Sequence, residues 1–184
     1  MKGITIKLTC KILVLTIICA ITACTSGCFS LKVKTYGCLV SKYAKLYDLE
    51  EDFLFALIYA ESKFEVDAIS SKGAQGLMQL LPSTAKFIAK KSGYKGQIDL
   101  FSVDCNLTLG CEYIKYLQTK FSDERSLLCA YNAGEGVVSE WLKNAKYSLD
   151  GKTLTTIPYK ETKNYLRKIS FYKLKYKRYL QRCL

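Results

Sequence analysis

Glu61 closes an apolar stripe. Leu54, Leu57, Ile58 and Glu61 stand at i, i+3, i+4 and i+7, which is one face of an amphipathic helix. A carboxyl group at the end of a core-facing stripe loses water, and desolvation disfavours its anion and raises its pKa. A carboxylic acid that stays protonated near neutral pH can donate a proton to a leaving-group oxygen. The same position also fits a structural glutamate whose head reaches solvent or a partner at the helix end. The chain contains no histidine. That removes Ser-His, Cys-His and imidazole-base mechanisms, so acid–base chemistry must come from carboxylates, tyrosines or lysines. With neither histidine nor a CxxC pair, no zinc site is expected either. Glu65 and Asp67 are the nearest other carboxylates in sequence, and Glu65 reads as a solvated loop residue.

Helices must position these groups. One is expected from about Tyr36 to Tyr47, and the Glu61 helix starts near Glu51. Pro82 and Ser83 open a short helix that Gly93 ends, with proline at the start and glycine just past the end. Asp104 is a candidate cap for a helix through Lys120, with Leu107, Cys111, Ile114 and Leu117 as its apolar stripe. Asp123 caps Glu124 to Asn132, Gly134 ends that helix, and Val137 to Asn144 is another. A Tyr/Lys helix runs from about Tyr159 to Leu180. Period-two alternation is confined to Gly73–Leu81. The expected class is mostly α, with at most a small β-like hairpin.

The N-terminus reads as an export signal over residues 1–23. Lys2, Lys7 and Lys11 precede an apolar run from Ile12 to Ile21, and small residues follow. Ile21-Thr22-Ala23-Cys24 resembles the lipobox of bacterial lipoproteins, which implies lipidation of Cys24; plain secretion is the alternative. Residues 24–36 read as a tether and 37–184 as one domain. The net charge is +12, or +9 without the three lysines of residues 1–23. A basic surface favours anionic polymers, and with an export signal these are wall polymer or phospholipid rather than nucleic acid. In an exported chain Cys28, Cys38, Cys105, Cys111, Cys129 and Cys183 could pair in fifteen ways if all six were bridged. The C-terminal Tyr172, Tyr176, Tyr179, Lys173, Lys175, Lys177 and Arg178 fit a basic–aromatic binding patch, a helix facing wall or membrane, or a solvated face.

Four blocks then decide between the readings of Glu61. Glu61-Ser62-x-Phe64 leads into Ala68-x-Ser70-x-x-Gly73-Ala74-x-Gly76-Leu77-Met78-Gln79-x-x-Pro82-x-Thr84. Asn106-x-x-x-Gly110-x-x-Tyr113, Ala130-Tyr131-Asn132-Ala133-Gly134 and Pro158-x-x-Glu161-Thr162-x-x-Tyr165 follow in order. Together these resemble the transglycosylase domain of bacterial soluble lytic transglycosylases, within the lysozyme-like superfamily. The resemblance covers about Tyr43 to Ile169. Val66 departs from it, where the family has proline.

The resemblance implies a lysozyme-like transglycosylase domain with a substrate groove. It implies cleavage of the β-1,4 bond between N-acetylmuramic acid and N-acetylglucosamine in peptidoglycan glycan strands, with 1,6-anhydromuramic acid ends as products. Glu61 would be both acid and base. Ser70, Met78, Gln79, Tyr131, Asn132 and Glu161 would contact substrate, and Ser62 would brace the helix end. No cofactor and no metal are implied. A bacterial envelope location follows, with the membrane reached through an N-terminal lipid or leader. A place in a secretion or envelope assembly complex is compatible with the small domain. The alternatives left open are a goose-type lysozyme-like hydrolase and a non-catalytic wall-binding module of the same fold.

Overall fold

The computed structural model describes residues 27–183, with the backbone alone at Cys183. The expected leader and Cys24 therefore lie outside the described residues. The chain divides into two compact units, Met1–Cys38 and Leu39–Leu184. Helix α1 covers residues 27–46. Residues 27–36, expected as a tether, are thus helical. In the first unit Cys28 and Cys38 are exposed free thiols.

The second unit is helical apart from its loops. It holds α2 (Glu51–Glu61), α3 (Pro82–Ser92), α4 (Val103–Gln118), α5 (Glu124–Ala133), α6 (Glu135–Lys143) and α7 (Lys160–Cys183). Helix α2 is buried on every side from Asp52 to Tyr59, not along one stripe. On one side α7 lies along it: Tyr176 stacks on Phe55 with ring centroids 4.3 Å apart, and Tyr172 meets Tyr59 edge-on at 4.6 Å. Lys177 pairs with Asp52 at 3.1 Å and Lys173 with Glu124 at 2.8 Å. Much of the C-terminal tyrosine pattern is therefore core packing.

Helix starts follow local chemistry. Pro82 opens α3, and Gly93 closes it at φ 73°. The Asp123 carboxylate accepts from Ser126 N at 2.9 Å and caps α5. Helix α4 differs from expectation: Ser102 caps it, while Asp104 accepts a 2.6 Å hydrogen bond from Tyr43 Oη on α1. The expected stripe of α4 is buried at Leu107, Cys111, Ile114 and Leu117. Cys105, Cys111 and Cys129 are buried free thiols. The alternating stretch forms isolated antiparallel bridges, Ile69 with Gln75 and Gln75 with Leu80.

Candidate active site

Glu61 is the last residue of α2, and the chain turns immediately after it. Ser62 makes that turn. Its hydroxyl donates to Leu77 O at 2.8 Å and accepts from Phe64 N at 3.1 Å. Lys63 and Phe64 follow at φ 54° and 63°, an unfavourable conformation for non-glycine residues. Burial of Phe64 against Phe55, with centroids 4.9 Å apart, offsets that strain.

The loop that follows folds back toward α2. Ser70 N donates to Ala74 O at 2.9 Å, and Ala74 N donates to the Ser70 hydroxyl at 3.0 Å. Asn106 on α4 then anchors the loop. Its amide donates to Gln75 O and Leu100 O, and its Oδ1 accepts from Met78 N, all within 2.8–2.9 Å. The contact is close because Gly76 (φ 74°) has no side chain: a Cβ there would lie 2.1 Å from Leu100 O. Gly110, one turn beyond Asn106, leaves the space that the Met78 sulfur fills.

Met78 therefore does not line a groove, as the resemblance implied. Its side chain is fully buried against Gly110, and it reaches the site only through its carbonyl. That oxygen accepts from Tyr131 Oη at 2.7 Å. The other expected residues come together. Glu61, Ser70, Gln79, Tyr131, Asn132 and Glu161 line one cavity of about 220 Å³, with Lys72 at its edge. Glu65 and Asp67 are exposed and line none of it. Gln79 (φ 49°) turns its amide back onto Ala68 O and Gly76 O at 3.0 and 2.9 Å, so its donors already hold the loop.

Tyr165 was not among the expected site residues, yet it makes direct contact with the acid. Its hydroxyl donates to Glu61 Oε1 at 2.6 Å. It stands one turn after Glu161 on α7, and that i+4 spacing in the closing block was the available signal. Thr162, also on α7, donates to Asn132 Oδ1 at 2.8 Å and ties the end of α5 to the start of α7.

Burial raises the Glu61 pKa from 4.5 to about 7. The Tyr165 hydrogen bond and the positive charge of Lys168 oppose the rise without cancelling it. Burial and the nearby Glu61 push both Tyr131 and Tyr165 well above the ordinary phenol value, so both stay protonated. The site thus holds a carboxyl able to give or take a proton at neutral pH, beside two fixed O–H dipoles. A larger cavity of about 830 Å³, lined by α3, the 94–102 loop and α4, holds Asp99 and Asp104. Asp104 is taken up by Tyr43, and the Asp99 carboxylate accepts from Phe101 N at 3.0 Å.

Similarity to known proteins points the same way. The chain is 30% identical over 150 residues to the soluble lytic murein transglycosylase of Salmonella typhimurium, covering 79% of this chain and 23% of that protein. It is 30% identical over 175 residues to membrane-bound lytic murein transglycosylase C of Actinobacillus pleuropneumoniae, covering 82% and 48%. Among solved structures, the lytic transglycosylase Slt of Pseudomonas aeruginosa, an inactive glutamate-to-glutamine mutant, aligns with TM-score 0.65 at 33% identity, over 77% of this chain and 24% of that one. The 70 kDa soluble lytic transglycosylase of Escherichia coli aligns with TM-score 0.68 at 27% identity, over 79% and 24%. This chain thus spans about a quarter of the length of the soluble relatives and about half of the membrane-bound one. With residues 38–155 matching its transglycosylase SLT domain, the chain belongs to the SLT family.

Proposed function

We propose that this chain is a peptidoglycan lytic transglycosylase, cutting the β-1,4 bond from N-acetylmuramic acid to N-acetylglucosamine. The observation that carries the reading is one carboxyl, Glu61, poised near neutrality and held by Tyr165 in a cavity that family-matching residues line. Protonated Glu61 donates to the glycosidic oxygen, and the bond from that oxygen to C1 of the muramic acid breaks. The anion of Glu61 then takes the proton from the same sugar's 6-hydroxyl as that oxygen bonds to C1. The anhydro ring closes, no water is consumed, and Glu61 is again protonated. Tyr165 steadies the anion between the two steps, since a hydrogen bond to a charged acceptor is the stronger kind.

Ser70, Asn132 and Glu161 contact the glycan in this reading, while Tyr131 keeps the cavity wall rigid through Met78 O. Residues 1–23 act as an export leader, and lipidation of Cys24 places the enzyme at the bacterial envelope membrane. Relatives named both soluble and membrane-bound support an envelope location.

Glu161 favours one other reading. It lines the same cavity as Glu61, and a second carboxylate could activate water, as in an ordinary glycosidase. Digestion of purified peptidoglycan in heavy-oxygen water separates the two. The lytic reaction yields muramic acid ends lighter by one water, with no heavy oxygen incorporated. Heavy oxygen at those ends would establish the hydrolase instead.

A further inference from the structure

We infer that the outward face of α7 is a docking surface for an anionic phospholipid bilayer. The inference stands on α7 itself and is independent of the reaction proposed above. Helix α7 carries nine Lys/Arg and one acid, Glu161. The whole chain carries 28 and 16, so this one helix holds most of the excess positive charge.

The helix has two faces. Thr162, Tyr165, Ile169 and Tyr176 point into the protein and are buried. Arg167, Phe171, Leu174 and Arg178 follow at spacings of four, three and four residues, which puts them on one ridge opposite. Phe171 is 59% exposed and Leu174 49%. Lys163 and Arg182 extend the basic surface toward either end of the helix and are exposed.

Scattered exposed apolar residues are ordinary on a protein surface, and a row of bases alone fits any polyanion. The combination is more selective. An apolar pair midway along a basic ridge matches a surface with anionic headgroups outside and acyl chains just beneath. A soluble polyanion offers nothing to Phe171 and Leu174. Tyr165 and Glu161 sit on this same helix, so a bilayer held on its outer face would fix the height and tilt of the Glu61 cavity above the membrane.

The test uses the full chain carrying Phe171→Trp, which adds an indole on the ridge; the native Trp141 is buried. Vesicles of phosphatidylcholine with phosphatidylglycerol should shift the added emission to the blue, and brominated acyl chains should quench it. Pure phosphatidylcholine vesicles should leave that emission unchanged, even if the N-terminal segment binds them. Adding Arg167→Glu and Arg178→Glu should weaken the response to anionic vesicles by about tenfold or more, because each base near an anionic surface contributes measurably. Circular dichroism confirms that the variant is folded, since neither arginine is buried. No blue shift on anionic vesicles overturns the inference. So does an equal shift with soluble polyphosphate and no bromine quenching on vesicles, which would make the face a polymer site.

Discussion

Glu61→Gln is expected to slow glycan cleavage by about 10²–10⁴-fold, the usual contribution of a positioned acid–base group. Glutamine keeps the shape and the oxygen that accepts from Tyr165, so the cavity should survive. What disappears is the transferable proton, and with it both halves of the reaction. The same substitution should make the protein more stable at neutral and alkaline pH. The folded-state pKa of Glu61 is raised, from 4.5 to about 7. Between those values the unfolded chain has released the proton and the folded protein still holds it, so rising pH favours unfolding. Above about pH 7 the destabilisation is constant, at most about 3 kcal/mol from the size of the shift. Glutamine carries no charge and escapes it. Thermal unfolding should show the variant ahead of the wild type above pH 7, with the two converging below about pH 4.5. Full activity in the variant would remove Glu61 from the chemistry.

Asn106→Ala is expected to be the most damaging single change outside the cavity. The side chain satisfies one buried N–H and two carbonyls at once, and none of its three partners belongs to α4. Each buried polar group left without a partner costs about 1–3 kcal/mol. Gln75 O keeps its bond from Leu80 N, so Met78 N and Leu100 O are the two groups left unpaired, and a loss of about 2–6 kcal/mol follows, a large part of a typical domain's stability. The loop from Gly73 to Leu81 would lose its hold on α4, and Tyr131 would lose the fixed carbonyl of Met78. Denaturant unfolding should show the destabilisation. A midpoint within the range of an ordinary surface substitution would mean that the loop is held by other contacts.

The helices were legible because their signals are local. Pro82, Gly93 and Asp123 act within a turn of where they stand, and each sits where expected. The α4 cap was not, because Asp104 is claimed by Tyr43 from sixty-one residues away, leaving Ser102 to cap. A long-range partner overrides a local propensity, and sequence spacing alone does not reveal it. The same holds in the site. Glu61 stood out as a carboxyl ending an apolar run, and the motifs gave most of its neighbours. Met78 was misread because a motif position does not say whether a side chain or its carbonyl faces the cavity. Tyr165 was missed as a partner of Glu61 because 104 residues separate them. The i, i+4 relation of Tyr165 to Glu161 was visible, but only packing of α7 on α2 makes it matter.

The central claim is that one carboxyl with a raised pKa serves as acid and then as base. The pH dependence of kcat/KM on purified glycan strands tests it most directly, because that quantity reports the ionisation of the free enzyme. The first step needs Glu61 protonated, so the rate should hold at mildly acidic pH and fall as pH rises through about 7. A profile that falls through the ordinary glutamate range near 4.5, and is flat across neutrality, would contradict the account.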